Sequence, residues 1–209
     1  NYLQDRSVPY EKYVTVLLVL LEIPSIAVGI FMAKWNNRES GFDLKKIFHE
    51  VFLGKTIILL IGGLFIGLAT AYTGNKQLNF FFFDLFKGFL AIFMLEMGVV
   101  ASQRFPDLKK VGLFLILFGI GMPVLSAMTG IGIAMITGLS AGGAIVLATM
   151  AASASYIAAP AAMKIALPEA NATYYLTASL GITFPFNIIA GIPLYYNITQ
   201  WLYGYFHLT

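Results

Sequence analysis

The sequence predicts an all-α protein that crosses a membrane several times. Three observations carry this expectation. Apolar runs of roughly 20 residues recur along the chain, the length a helix needs to cross hydrocarbon. The composition is 59% hydrophobic and only 11% charged, whereas ordinary globular domains carry about 25% charged residues. Aromatic residues gather at the ends of the runs, where a membrane interface favours them.

Six spans are predicted, near 13–33, 56–73, 80–101, 111–136, 141–162 and 173–203. The first is apolar apart from Glu22 and contains Pro24, while the second carries no charge. The third opens on Phe80 to Phe83 and a local Asp84–Lys87 pair, suited to an interface, and holds Glu96 near its middle. The fourth is uncharged, with glycines such as Gly119 and Gly121 that suit close helix contacts. The last carries Tyr174 and Tyr175 at one end and Trp201, Tyr203 and Tyr205 at the other, an aromatic belt on both surfaces.

The fifth run, 141–162, is unlike an anchor helix. Its second half is crowded with small residues, the hydroxyls of Ser153 and Ser155, and Pro160. Pro160 removes a backbone donor and pushes Ala159 from helical geometry, so a helix broken at membrane depth is expected. Such a break is tolerated where it is buried in protein or lines a watery cavity, the way solute transporters build binding sites.

Orientation follows from the basic residues. Loops 34–55, 102–110 and 163–172 hold nine Lys and Arg against four elsewhere. The positive-inside rule assigns those loops to the cytoplasm and both ends of the chain to the outside of the plasma (inner) membrane. The chain has no cysteine, which excludes disulfides and thiolate metal sites. Short basic loops give no support to nucleic-acid binding. No nucleophile–base pair, zinc helix or phosphate loop is present, so an enzyme is not expected.

The first and last spans echo each other. Tyr13 to Pro24 and Tyr174 to Pro185 have equal separation, and Glu22-Ile-Pro24-Ser25 is matched by Thr183-Phe-Pro185-Phe-Asn187. Five spans separate equivalent positions, so the copies cross in opposite directions, as in an inverted repeat. A chance match of two proline-containing helices is the alternative. Under the repeat, 1–35 is a tail plus the last span of a first unit, 36–55 a cytoplasmic linker, and 56–209 a complete second unit. The chain is then the C-terminal part of a ten-span (5+5) protein. In the linker, Phe42, Leu44, Ile47, Phe48, Val51 and Phe52 fall at helical spacing, which fits a surface helix.

Intramembrane acids default to a functional hypothesis. Glu96 and Glu22 fit a coupling or gating role, structural hydrogen bonding between helices, or a place on the lipid side. Pro24, Pro160 and Pro185 are the expected helix breaks. The run 151–156 is the strongest site candidate. A small anion would be held by hydroxyls and backbone N–H groups, with a co-bound Na⁺ supplying positive charge that no central Lys or Arg provides. Ser153, Ser155 and Thr183, two residues before Pro185, are the candidate Na⁺ ligands, since Na⁺ suits oxygen. The competing reading is a packing face whose hydroxyls bond back to their own helix.

The stretch Asp84-Leu-Phe-Lys-Gly88 through Glu96-Met97-Gly98, then Ser140-Ala-Gly-Gly143 through Ala151 to Pro160, then Leu167-Pro168-Glu-Ala-Asn171, resembles the sodium-dependent bicarbonate transporter family of cyanobacteria. The resemblance covers essentially the whole chain. It implies a ten-span fold whose core domain moves against a gate domain, Na⁺-coupled bicarbonate uptake without a cofactor, trimeric assembly, and a PII-like cytoplasmic partner. It assigns the substrate and ion site to Ala152, Ser153, Ala154 and Ser155, beside Tyr156. Ala154 and Tyr156 stand where well-known members are expected to carry a serine and an aspartate, leaving fewer oxygens and no carboxylate. Alternatives are symport of another small or organic anion, and a non-transporting membrane scaffold that docks a cytoplasmic partner.

Overall fold

The computed structural model describes residues 2–35, 55–73, 85–156, 159–160, 163–164 and 167–206. The predicted linker 36–55 lies outside them except for Lys55, as do Phe80 to Asp84. Most of the described residues are helical, with no strand among them. Six helices follow in order: α1 (Leu17–Trp35), α2 (Lys55–Thr73), α3 (Leu85–Arg104), α4 (Leu108–Thr137), α5 (Ala141–Ala151) and α6 (Ala172–Tyr205). Among the described residues, two helical runs are long and apolar enough to cross a membrane, Leu85–Thr137 and Ala172–Tyr205. Shorter apolar helices accompany them at Leu20–Gly29, Ile61–Thr70 and Ala141–Ala151.

The chain divides into two units. One comprises 21–103 and 157–170. Its helices carry outward apolar side chains such as Phe65, Phe89 and Leu95. Lipid tails do not penalise such side chains as water would.

The other unit comprises 1–20, 104–156 and 171–209. Its centre is α5, packed between α4 and α6. Small residues make the approach possible: a Cβ on Gly130 of α4 would stand 3.1 Å from the Ala148 Cα of α5. Ala127, Ile131, Ala148, Ala152 and Tyr195 form one core cluster. A second gathers Val14, Ala134, Leu139, Ala144, Leu147 and Tyr203. The N-terminal segment joins this unit through Glu11, whose carboxylate accepts the Ser140 N–H at 2.8 Å and the Ser140 hydroxyl at 3.0 Å. Ser140 in turn caps α5 by accepting the Gly143 N–H at 3.1 Å.

Prolines act differently from the sequence expectation. The helix α1 runs through Pro24 without interruption. The interruption after α5 falls at 152–156 rather than at Pro160. Tyr156 is still outside the helix while Ala159 and Pro160 are helical, so the described interruption lies before Pro160 rather than at it. Around Pro185 the helix α6 continues but changes pitch, with π-helical turns at Thr177–Thr183 and Asn187–Gly191 flanking Phe184–Phe186. One residue of the predicted aromatic belt points inward. Trp201 and Tyr205 are exposed, but Tyr203 is 3% exposed and donates to the Leu139 carbonyl at 2.9 Å.

Candidate functional site

The helix α5 ends at Ala151, where its last hydrogen bonds run from Ala152 N–H to Ala148 (2.9 Å) and from Ser153 N–H to Met150 (3.1 Å). Beyond them the chain is non-helical to Tyr156. A cavity of about 370 Å³ lies against this end, bordered by Ala152, Ser153 and Ala154 from the run, Ser126 from α4, and Ser179 and Thr183 from α6. Among the described residues, no Lys, Arg, Asp or Glu borders it. The polar groups it offers are therefore hydroxyls and backbone atoms.

Ser153 lies beside the cavity and its hydroxyl donates to the Thr149 carbonyl at 2.9 Å. This is the back-bonding of a packing serine, yet the oxygen keeps lone pairs for a ligand. Thr183 is buried, and its hydroxyl donates to the Gly119 carbonyl of α4 at 2.7 Å. That carbonyl lies four residues before Pro123, which has no N–H to offer it. The proline thus frees a carbonyl that Thr183 occupies. Ser155 and Tyr156 follow in the non-helical run without bordering the cavity, and the Tyr156 ring meets Phe184 edge-on at 6.3 Å.

The remaining candidates are divided between the two units. Glu22 and Glu96 belong to the other unit, and neither forms an ion pair with any described residue. Pro24 and Pro160 also belong to the other unit, and Pro185, in the same unit as the cavity, does not border it.

Two residues at the broken end escaped the sequence reading. Asn187 donates its amide to the Ala152 carbonyl at 2.8 Å, and its own oxygen accepts the Tyr195 hydroxyl at 2.8 Å. A buried amide within an apolar span was the available signal, since such groups need a partner.

Comparison with known proteins comes from two directions. A family model described as the Na⁺-dependent bicarbonate transporter superfamily matches residues 1–200. A 55-residue segment is 36% identical to the fluoride-specific ion channel FluC of Acinetobacter baumannii strains AYE, AB307-0294 and AB0057. That segment is 26% of this chain, and the chain spans 44% of those relatives' length.

Proposed function

Since the chain belongs to the Na⁺-dependent bicarbonate transporter superfamily, we propose that it serves a secondary transporter coupling Na⁺ entry to bicarbonate uptake across the plasma membrane. The observation that carries this reading is the end of α5 at Ala151 against a cavity bordered by Ser153 and Thr183. The C-terminal end of a helix bears partial negative charge and favours a cation. Hard oxygen donors at that end suit Na⁺, and the bound Na⁺ supplies the positive charge that bicarbonate needs in a cavity that no described Lys or Arg borders. In this reading Ser153 and Thr183 act as Na⁺ ligands at the cavity, Ser155 joins them when the run 152–156 closes on the ion, and that run holds the anion. Movement of one helical bundle against another then exposes the site to either side. No cofactor enters this scheme.

The wider reading is a ten-span inverted repeat with 56–209 as its second unit and 36–55 as its linker. Loops 34–55, 102–110 and 163–172 face the cytoplasm, and the basic loop 34–55 is the landing place for a PII-like partner. The assembly is a trimer. Glu22 and Glu96 face cavities or neighbouring helices rather than lipid, consistent with the cost of an acid in hydrocarbon.

A second reading is favoured by the short likeness to fluoride channels: a small inorganic anion other than bicarbonate. The volume of about 370 Å³ matches roughly a dozen waters at about 30 Å³ each, so size alone admits larger acids. Proteoliposomes carrying the intact protein should accumulate labelled bicarbonate under an inward Na⁺ gradient and not under a K⁺ gradient. Equal uptake in both overturns the coupling. Stronger inhibition by fluoride or by a bulky carboxylate than by unlabelled bicarbonate overturns the substrate.

A further inference from the structure

The break after α5 creates a specific need. Residues 153–156 form no further helical turn, so the Ala152 carbonyl has no following N–H in the helix to accept from. Asn187 meets that need from α6, with its Nδ2 2.8 Å from the carbonyl oxygen in a buried contact.

The orientation of this amide is fixed by its two partners. A carbonyl can only accept, so the face of Asn187 towards Ala152 must be the NH₂ group. The amide oxygen therefore faces Tyr195, whose hydroxyl donates to it at 2.8 Å. Tyr195 is fully buried. Gly191, on the same stripe of α6 between them, leaves the space this bond requires. A Cβ at Gly191 would stand 2.6 Å from the Asn187 oxygen and 3.0 Å from the Tyr195 hydroxyl. Neither Asn187 nor Tyr195 borders the cavity.

We infer that Asn187 and Tyr195 are positioning residues for the ion site, holding the Ala152 peptide and so setting where the Ser153 backbone and hydroxyl stand. They work from behind the cavity and touch neither ion nor substrate. Through them α6 governs the geometry of the α5 end. This rests on reading residues 152–156 as the transport site.

The test measures the Na⁺ concentration for half-maximal uptake in the intact protein in proteoliposomes. Tyr195→Phe, which keeps the ring, and Gly191→Ala, which wedges the bond, should each raise that concentration about tenfold, the effect of one buried hydrogen bond lost, while maximal uptake at saturating Na⁺ is retained. The Asn187→Ala/Tyr195→Phe double variant should be no worse than Asn187→Ala alone, because the pair acts as one unit. Tyr203→Phe removes another buried phenol hydroxyl, one bound to the Leu139 carbonyl at the opposite end of α5, and should leave half-saturation unchanged. An unshifted half-saturation in Tyr195→Phe, or an equal shift in Tyr203→Phe, overturns the inference.

A second readout needs no transport. The sequence has no cysteine, so Ala154→Cys introduces a thiol beside the cavity. Its modification by a soluble maleimide should accelerate when Tyr195→Phe is added, and an unchanged rate overturns the inference. If wild-type protein shows no Na⁺-dependent uptake while this rate still changes, the transport reading falls and the positioning role stands.

Discussion

The Thr183 hydroxyl donates to the Gly119 carbonyl at 2.7 Å, across two helices and 64 residues of sequence. Pro123 makes this possible by withholding the N–H that would otherwise take that carbonyl. A proline in one helix and a threonine in another thus form one joint. Gly119 is also a point of close approach, where a Cβ would stand 2.8 Å from the Ile182 Cγ2.

Replacing Thr183 with valine keeps the shape and removes the donor. The Gly119 carbonyl is then buried and unpaired, which costs about 1–3 kcal/mol. Thermal melting in detergent should show the loss, and Thr183→Ser should recover most of it. A valine variant that melts with wild type would mean the joint carries no weight.

Gly119→Ala tests the same joint by volume alone. The new methyl must displace Ile182, and overpacking of this kind typically costs about 1–3 kcal/mol. In an Ile182→Ala background, which lacks the Cγ2 that the new methyl would strike, Gly119→Ala should cost less. An alanine variant as stable as wild type would show that α4 and α6 separate at no cost.

At the other end of α5, a Cβ on Gly143 would collide with the Glu11 carboxylate, and one on Gly142 with the Pro9 carbonyl. Gly143→Ala should therefore release the N-terminal segment from the Ser140 cap. Limited proteolysis is expected to cut within residues 2–16 faster than in wild type. Equal cutting would contradict the clasp between Glu11 and Ser140.

The same clasp predicts a pH dependence. Partial burial pushes the Glu11 carboxyl up, but the N–H groups of Ser140 and of Glu11 itself, with the Ser140 hydroxyl, outweigh it and hold the carboxyl below its ordinary value. A carboxyl depressed in the folded state stabilises above its unfolded pKa, about 4.3, and loses that contribution as pH falls through the folded value. Melting temperature should drop in acid more steeply in wild type than in Glu11→Gln. Parallel curves would remove Glu11 from the account.

Much of the architecture was legible because hydrophobic run length maps directly onto helix length. Runs read at 56–73 and 111–136 became helices at Lys55–Thr73 and Leu108–Thr137. The interruption in the fifth run was legible too, from small residues and hydroxyls where lipid contact would favour Leu and Phe. Its place was not. Proline was expected to set the break, but Pro160 is itself helical and the helix stops earlier, where Asn187 donates to the Ala152 carbonyl. That partner lies 35 residues away, and no local pattern reports it. Tyr203 shows the same blindness, since membership of an aromatic cluster at a helix end does not say which face a ring occupies. Small residues along α5 and the run after it served both readings: Ala144 and Ala148 pack in cores, whereas Ser153 and Ala154 border the cavity.

The central claim is that the hydroxyl-bearing run after α5 holds the transported ions. Its most direct test is Na⁺-driven bicarbonate uptake by Ser153→Ala and Ser155→Ala in the intact protein, at equal membrane abundance. Reduced Na⁺-dependent uptake in both variants, with the Na⁺ requirement for half-maximal rate raised, is the predicted result. Uptake indistinguishable from wild type in both would contradict it and move the site away from the end of α5.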